Sequence, residues 1–297
     1  MPKLQTGVPL APHTTFRIGG PARLYTEPEA LPELEESIAW ALSEGVPFFL
    51  LGGGSNVLVH DRGFDGLVIN TRKLSRVEVD GETVGAECGT LVDDLVETCA
   101  ERSLAGVEFA AGLPGTVGGA LYMNARAYEG SFSAIVERVS ALEVEGKEVH
   151  ELALDVALLG FGYKRSVFQR GRFYVKEVRF RLSRGVREDI VRKTEENRKK
   201  RETMGQYLFP NAGCIFKNDY RVGVPSGKTI EELGLKGKRI GDAEVFERHA
   251  NFIINRGGAS AEDVHRLIRF VEGEVERKRG IRLEREILLV GPWPEGS

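Results

Sequence analysis

Five consecutive residues, Gly52-Gly53-Gly54-Ser55-Asn56, carry the first chemical signal in this sequence. Adjacent glycines lack the Cβ that keeps a backbone away from a ligand, and they let successive N–H groups turn toward phosphate oxygens. Taken alone, such a loop reads equally well as a tight turn. A second cluster, Gly112-Leu113-Pro114-Gly115-Thr116-Val117-Gly118-Gly119-Ala120, precedes Met123-Asn124-Ala125 and holds more glycine than a connector needs. Two such loops point to a diphosphate-bearing ligand, contacted by Gly52, Gly53, Gly54, Ser55 and Asn56 together with Gly115, Thr116, Gly118, Gly119 and Ala120. Neither loop fits a common nucleotide fingerprint, because Gly52-x-Gly54 is followed by Val57 where a dinucleotide-binding turn has Gly or Ala. A Rossmann domain is therefore disfavoured. The stretch from Gly223 to Thr229 is similar to the tail of a Walker loop, but only three residues separate Gly223 from Gly227 and no apolar strand leads into it.

The elements that must position these loops are mixed. Leu34, Ile38, Ala41 and Leu42 fall at helical spacing, so Leu31 to Glu44 reads as an amphipathic helix ended by Gly45. Phe48 to Leu51 and Val57 to Val59 read as strands on either side of the first glycine loop. Leu91 to Arg102 looks helical, whereas Arg138 to Leu154 and Arg172 to Leu182 gather β-branched and aromatic residues as strands do. Composition changes around Ser183 to Gly185, and Arg187 to Met204 becomes a heavily charged helix, so a domain boundary is expected at 183/184. Beyond it, Lys228 to Leu233 reads as a helix, and Asn251 to Asn255 and Arg285 to Val290 as strands. Ser260 to Arg279 reads as a long helix opened by Ser260-x-x-Asp263, a capping box with Asp in place of Glu.

Bulk properties exclude several classes. Lys plus Arg total 41 against 44 Asp plus Glu, a formal net charge of -3, so no basic field recommends a nucleic acid or an anionic membrane. The three cysteines, Cys88, Cys99 and Cys214, are too few and too scattered for a disulfide framework or a zinc motif, and they suit a reducing, cytoplasmic compartment. No metal cluster is expected. Met1 to Leu10 has no export-signal pattern, and no stretch approaches about 18 uninterrupted apolar residues.

The motifs are more specific together than singly. Thr15-Phe16-Arg17-Ile18-Gly19-Gly20-Pro21-Ala22, the Gly52 loop, Ala111 to Ala125, Phe161-Gly162-Tyr163-Lys164-Arg165-Ser166, Ala212-Gly213-Cys214-Ile215-Phe216-Lys217-Asn218, His249-Ala250-Asn251-Phe252-Ile253-Ile254-Asn255 and Glu284-Arg285-Glu286 occur in that order. In this they resemble the UDP-N-acetylenolpyruvylglucosamine reductase (UDP-N-acetylmuramate dehydrogenase) family over nearly the whole chain. The short stretch between Arg165 and Cys214 resembles the family's shorter class, which lacks an additional Tyr-bearing segment. The resemblance implies an α+β chain. An FAD-binding fold of the vanillyl-alcohol oxidase type would occupy 1–183, in lobes of about 1–68 and 69–183. A smaller substrate-binding α+β domain would occupy 184–280, and a C-terminal strand and tail, 281–297, would return to the active site. It further implies NADPH as reductant, FAD as carrier and a UDP-sugar enolpyruvyl substrate, in peptidoglycan precursor synthesis, with no obligatory protein partner evident.

The resemblance also implies roles for residues. Cys214 stands where most relatives carry the proton-donating Ser, and Glu286 matches the catalytic Glu that helps stabilise the enolate intermediate. Glu284, two residues earlier, would share a strand face with it. Lys164 occupies the place of the family's cationic Arg, with Arg165 immediately after; adjacent residues on an extended segment face opposite ways, and the register favours Lys164. Lys217 and Asn218 would contact the sugar nucleotide. His249 reads equally as part of a buried strand and is given no catalytic role. An oxidase of the same fold is often tethered to its flavin through a His in the first glycine loop. Here that neighbourhood offers Ser55 and Asn56, so FAD is expected to be non-covalent. A flavin-carrying binding protein without turnover is the remaining alternative.

Overall fold

The computed structural model describes residues 1–221 and 223–294. The chain divides into two compact units that interleave along the sequence. The first comprises Met1–Gln5, Leu24–Gly53 and Gly66–Lys200; the second comprises Thr6–Arg23, Gly54–Asp65 and Arg201–Ser297. The change in composition at Ser183–Gly185 thus does not coincide with this division, which falls within the charged helix, because residues up to Lys200 pack with the first unit.

Four helices open in the first unit: α1 (Leu31–Glu44), α2 (Val92–Glu101), α3 (Val117–Tyr122) and α4 (Arg187–Thr203). α1 buries Leu34, Ile38 and Ala41 along one stripe and ends where Gly45 turns left-handed, its N–H donating to the carbonyls of Ala41 and Leu42. α2 buries Val92, Leu95, Val96, Cys99 and Ala100, and Asp93 and Asp94 sit in its first turn, where the helix dipole favours negative charge. A five-stranded antiparallel sheet runs in the order Glu148–Asp155, Val136–Glu145, Phe173–Arg181, Thr83–Glu87, Val77–Asp80. Strand Phe48–Leu51 pairs in parallel with Phe64–Asn70, Leu51 opposite Asn70. The core between these layers includes Leu67, Ile69, Leu95, Phe132, Val139 and Phe180. Truncating a fully buried leucine such as Leu95 to Ala costs about 2–5 kcal/mol in a core of this kind.

The second unit is built on a four-stranded antiparallel sheet in the order Asn211–Cys214, Phe252–Asn255, Ala243–Val245, Arg239–Ile240. It also holds α5 (Ser226–Glu232) and α6 (Ala261–Arg279), and a parallel pair joins Val57–Val59 to Leu288–Val290. α6 buries Val264, Leu267, Ile268, Val271 and Val275 in a core shared with Phe16, Leu58, Ile215 and Ile253. The capping box forms as expected, with the Ser260 hydroxyl accepting from the Asp263 N–H and the Asp263 carboxylate accepting from the Ser260 N–H. A third partner was not legible. Asp61 accepts from the N–H groups of Ala261 and Glu262 at 2.8 and 3.1 Å, so a residue 200 positions away completes the cap.

Candidate functional site

In the first unit Gly52 and Gly53 lie against the second glycine loop. A Cβ on Gly52 would stand 2.4 Å from the Thr116 hydroxyl, and one on Gly53 would stand 2.6 Å from the Gly115 Cα. These two glycines let backbone approach backbone, which is a different reason for their presence than contact with a ligand. The second loop also uses its own donors. Val117 N–H donates to Thr90 O (2.9 Å), Gly118 N–H to Cys88 O (2.8 Å) and Ala120 N–H to Thr116 O (2.8 Å), while Gly119 N–H reaches the Thr116 hydroxyl at 3.4 Å. The expected phosphate donors Gly118, Gly119 and Ala120 are therefore already paired inside the protein.

The first loop is different. Among the described residues, the N–H groups of Gly52 and Gly53, and in the second unit those of Gly54, Ser55 and Asn56, donate to no protein acceptor. Successive unpaired N–H groups of this kind suit an anion. Gly119 supplies the complementary observation, because it is exposed and a Cβ there would meet nothing closer than the Thr116 hydroxyl at 3.6 Å. No protein contact requires its lack of a side chain. Within the first unit, the unpaired N–H groups of Gly52 and Gly53 and the open face of Gly119 fit a diphosphate cofactor.

The cationic motif forms a tight turn. Gly162 N–H donates to Arg165 O at 3.0 Å and Arg165 N–H returns to Gly162 O at 3.3 Å, with Lys164 at φ 54°. A positive φ at the third residue is what a type II turn requires, and for a lysine it carries strain on the order of 1 kcal/mol. Alternation along an extended segment does not apply to Lys164 and Arg165, since the segment is a turn, and the choice of Lys164 rests on its register in the motif. What holds the turn is visible: Asn124 Nδ2 donates to Gly162 O (2.9 Å), Gln169 Nε2 to Lys164 O (3.0 Å) and the Ser166 hydroxyl to Tyr122 O (2.8 Å).

In the second unit, the strip Cys214–Asn218 runs beside Glu284–Glu286. Lys217 N–H donates to Glu284 O (2.8 Å) and Glu286 N–H to Ile215 O (2.7 Å), with Phe216 bridged to Arg285. Asn251 fixes this strip from behind. Its Oδ1 accepts from Phe216 N–H (2.9 Å), its Nδ2 donates to Phe216 O (2.8 Å), and its carbonyl accepts from Ile215 N–H (2.9 Å). Cys214 lies opposite Phe252 and is half-buried, whereas burial encloses Cys88 and Cys99 and pushes both thiols up to about 12.

Glu284 is tied to Lys217 Nζ at 2.6 Å, and Arg285 makes a two-pronged pair with Glu272 at 2.6 and 2.7 Å. Lys217, expected on the sugar nucleotide, is thus in an ion pair. Asn218 accepts from the Ser226 N–H at 3.0 Å, and the Ser226 hydroxyl donates to Lys217 O, so both donors of Ser226 in the Walker-like stretch are engaged. His249 is half-buried with its ring 4.3 Å from that of Phe252, and burial pulls its pKa down. Sequence reasoning missed Asn251, Asn124 and the link between Asn56 and the Glu286 backbone. The asparagines within the 124 and 251 motifs were the available signal.

Residues 22–150 match the FAD binding domain family, and residues 204–290 match the C-terminal domain of UDP-N-acetylenolpyruvoylglucosamine reductase. The protein of that name from Synechococcus sp. (strain JA-3-3Ab) is 39% identical over 295 residues, 99% of this chain and 93% of the relative. The chain belongs to the UDP-N-acetylenolpyruvoylglucosamine reductase family. The crystal structure of the family member from Thermus caldophilus superposes with a TM-score of 0.82 at 34% identity, covering 99% of this chain and all of that one. GilR, an oxidoreductase of gilvocarcin biosynthesis, shares the fold alone, at a TM-score of 0.50 and 17% identity over 62% of this chain and 43% of its own. As a member of the reductase family the chain is an FAD-dependent oxidoreductase of α+β class. Among the described residues, no helix is long and apolar enough to cross a membrane and no group of three His, Cys, Asp or Glu could hold a metal ion.

Proposed function

We propose that this reductase-family chain converts UDP-N-acetylglucosamine enolpyruvate to UDP-N-acetylmuramate in the cytoplasm, as a step in peptidoglycan precursor synthesis. The observation that carries the reading is the joined strip in which Ile215, next to the half-buried Cys214, accepts the backbone N–H of Glu286. Held non-covalently by the glycine loops, FAD would supply a carrier that takes hydride from NADPH and delivers it to the enolpyruvyl methylene carbon. The protein's residues then deal with charge and proton. Addition of hydride leaves an enolate conjugated with a carboxylate, and the cationic turn, with Lys164 as the chosen residue and Arg165 as its neighbour, offsets that charge in advance. The Cys214 thiol gives its proton to the adjacent carbon, which completes the lactyl ether, and solvent reprotonates the thiolate. Glu286 hydrogen-bonds to the intermediate, while Lys217 and Asn218 hold the sugar nucleotide. Residues 184–280 supply substrate contacts and 281–297 bring in Glu286.

The test is anaerobic. NADPH should bleach the bound flavin, and UDP-N-acetylglucosamine enolpyruvate should restore its colour with stoichiometric formation of UDP-N-acetylmuramate. Bleaching that only dioxygen reverses would sink the reading in favour of an oxidase, and no bleaching at all would favour a non-catalytic flavin carrier.

A further inference from the structure

We propose that Arg126 is a substrate-binding cation, presenting a guanidinium to the enolpyruvyl carboxylate from the face of Tyr163. This rests on the functional reading above. Arg126 lies outside every motif role assigned from the sequence, yet its Cζ stands over the Tyr163 ring, 5.9 Å from the centroid, next to the residue chosen as the catalytic cation. It is exposed, and among the described residues its guanidinium has no hydrogen bond or carboxylate partner. Arg138, Arg172, Arg181 and Arg192 of the same unit pair with Asp or Glu, whereas Arg170 and Arg179 also have no carboxylate partner among the described residues; Arg126 differs from these in standing over the Tyr163 ring.

The backbone beneath Arg126 is fixed. Asn124, at φ 40°, donates to Gly162 O and accepts from the Ser133 N–H (3.1 Å); Phe132 N–H donates to Ala125 O (3.1 Å); and Arg126 is paired with Ser131 in a short hairpin. Chain segment and cationic turn are therefore joined at Gly162, and the Tyr163 ring orients the guanidinium. The chemistry supplies the reason for a third cation. Lys164 brings a point charge, whereas a carboxylate is matched in two directions by a planar fork of N–H donors. Arg165 does not supply that fork in the present arrangement, because its Nε and Nη2 fold back to 3.4 and 3.6 Å from where a Gly162 side chain would begin.

Arg126→Met keeps the side chain's length and its contact with the ring while removing charge and donors. Stopped-flow measurement of the two half-reactions of the holoenzyme should show flavin reduction by NADPH unchanged. The substrate concentration giving half-maximal flavin reoxidation should rise about tenfold or more, the scale of a lost charge-assisted contact. Arg126→Lys should recover part of the loss, and Tyr163→Leu should shift the same half-reaction in the same direction. An unchanged reoxidation curve in Arg126→Met would overturn the proposal, leaving a surface cation stacked on a ring. A defect confined to the NADPH step, or loss of FAD, would overturn it by assigning the anion to reductant or cofactor. Failure of the parent protein to be reoxidised by the substrate would instead sink the functional reading.

Discussion

Asn56 holds the backbone of Glu286: its Nδ2 donates to the Glu286 carbonyl at 3.0 Å, and the Leu288 N–H donates back to the Asn56 carbonyl at 3.0 Å. A residue of the first glycine loop thereby fixes the main chain that carries the proposed catalytic Glu286, although 230 positions separate them. Asn56→Ala should lower stability by about 1 kcal/mol, the net worth of one such bond, and should slow flavin reoxidation by substrate. Denaturant unfolding and stopped-flow kinetics read the two effects. A stability loss without any kinetic change would confine Asn56 to a structural part.

The two glycine loops should respond differently to a side chain. A Cβ at Gly54 would lie 2.1 Å from the His13 carbonyl, and its φ of 62° disfavours any L-residue, so Gly54→Val should destabilise the apoprotein itself. A Cβ at Gly119 makes only an ordinary contact with the Thr116 hydroxyl, at 3.6 Å, and the residue sits in a helix, where Gly is the poorer helix former. Gly119→Val should fold with an ordinary melting temperature and purify colourless. Stoichiometric FAD in Gly119→Val would show that the open face of α3 is not where the cofactor lies.

Lys164→Ala should slow reoxidation of reduced flavin by substrate more than reduction by NADPH, since the cation is needed for charge that develops only after hydride addition. Arg165→Ala should change both steps less. Reversed ranking of the two variants would move the role to Arg165.

Cys214→Ala should still accept hydride from NADPH but lose product formation, and Cys214→Ser should recover much of it, because a hydroxyl donates from nearly the same place. A thiol acid works only while protonated. Substrate turnover in the parent should therefore decline as pH rises through the thiol's ionisation, while Cys214→Ser should not show that limb. Cys88 and Cys99, buried with thiols near 12, contribute nothing to the profile and should resist alkylation in the folded protein, leaving Cys214 as the modified residue. Undiminished turnover by Cys214→Ala would assign the proton to another donor.

His265 sits in the second unit with its ring 4.8 Å from that of Trp293, and its buried Nε2 has no partner among the described residues. Burial is the main cause of its lowered pKa, followed by the nearby charge of Arg285, with Glu262, Arg269 and Glu272 making smaller contributions of mixed sign. The folded protein thus resists protonating this histidine more than the unfolded chain does. Stability should be full above about pH 6.5, the ordinary histidine value, and should fall as pH drops below it. His249, lowered by the same cause, adds in the same direction. His265→Phe should shallow the acid side of a melting-temperature profile measured from pH 8 to 5; an unchanged slope would show that His265 does not titrate there.

The local elements were legible from the sequence because their causes are local. The Leu34, Ile38, Ala41 stripe and Gly45 produced α1 with its expected ends, Ser260 and Asp263 formed the cap of α6, and the strands Phe48–Leu51 and Val57–Val59 flank the first glycine loop as read. Ordered motifs were enough for the family, since residue types at fixed spacing are a property of the chain alone. Tertiary structure decided the rest. Glu284 finds Lys217 across 67 positions, and Asn56 finds its partner across 230. The donors at 117–120 turned inward because Cys88, Thr90 and Thr116 offered acceptors, and an N–H group takes the acceptor that folding brings to it rather than the one its neighbours in sequence suggest.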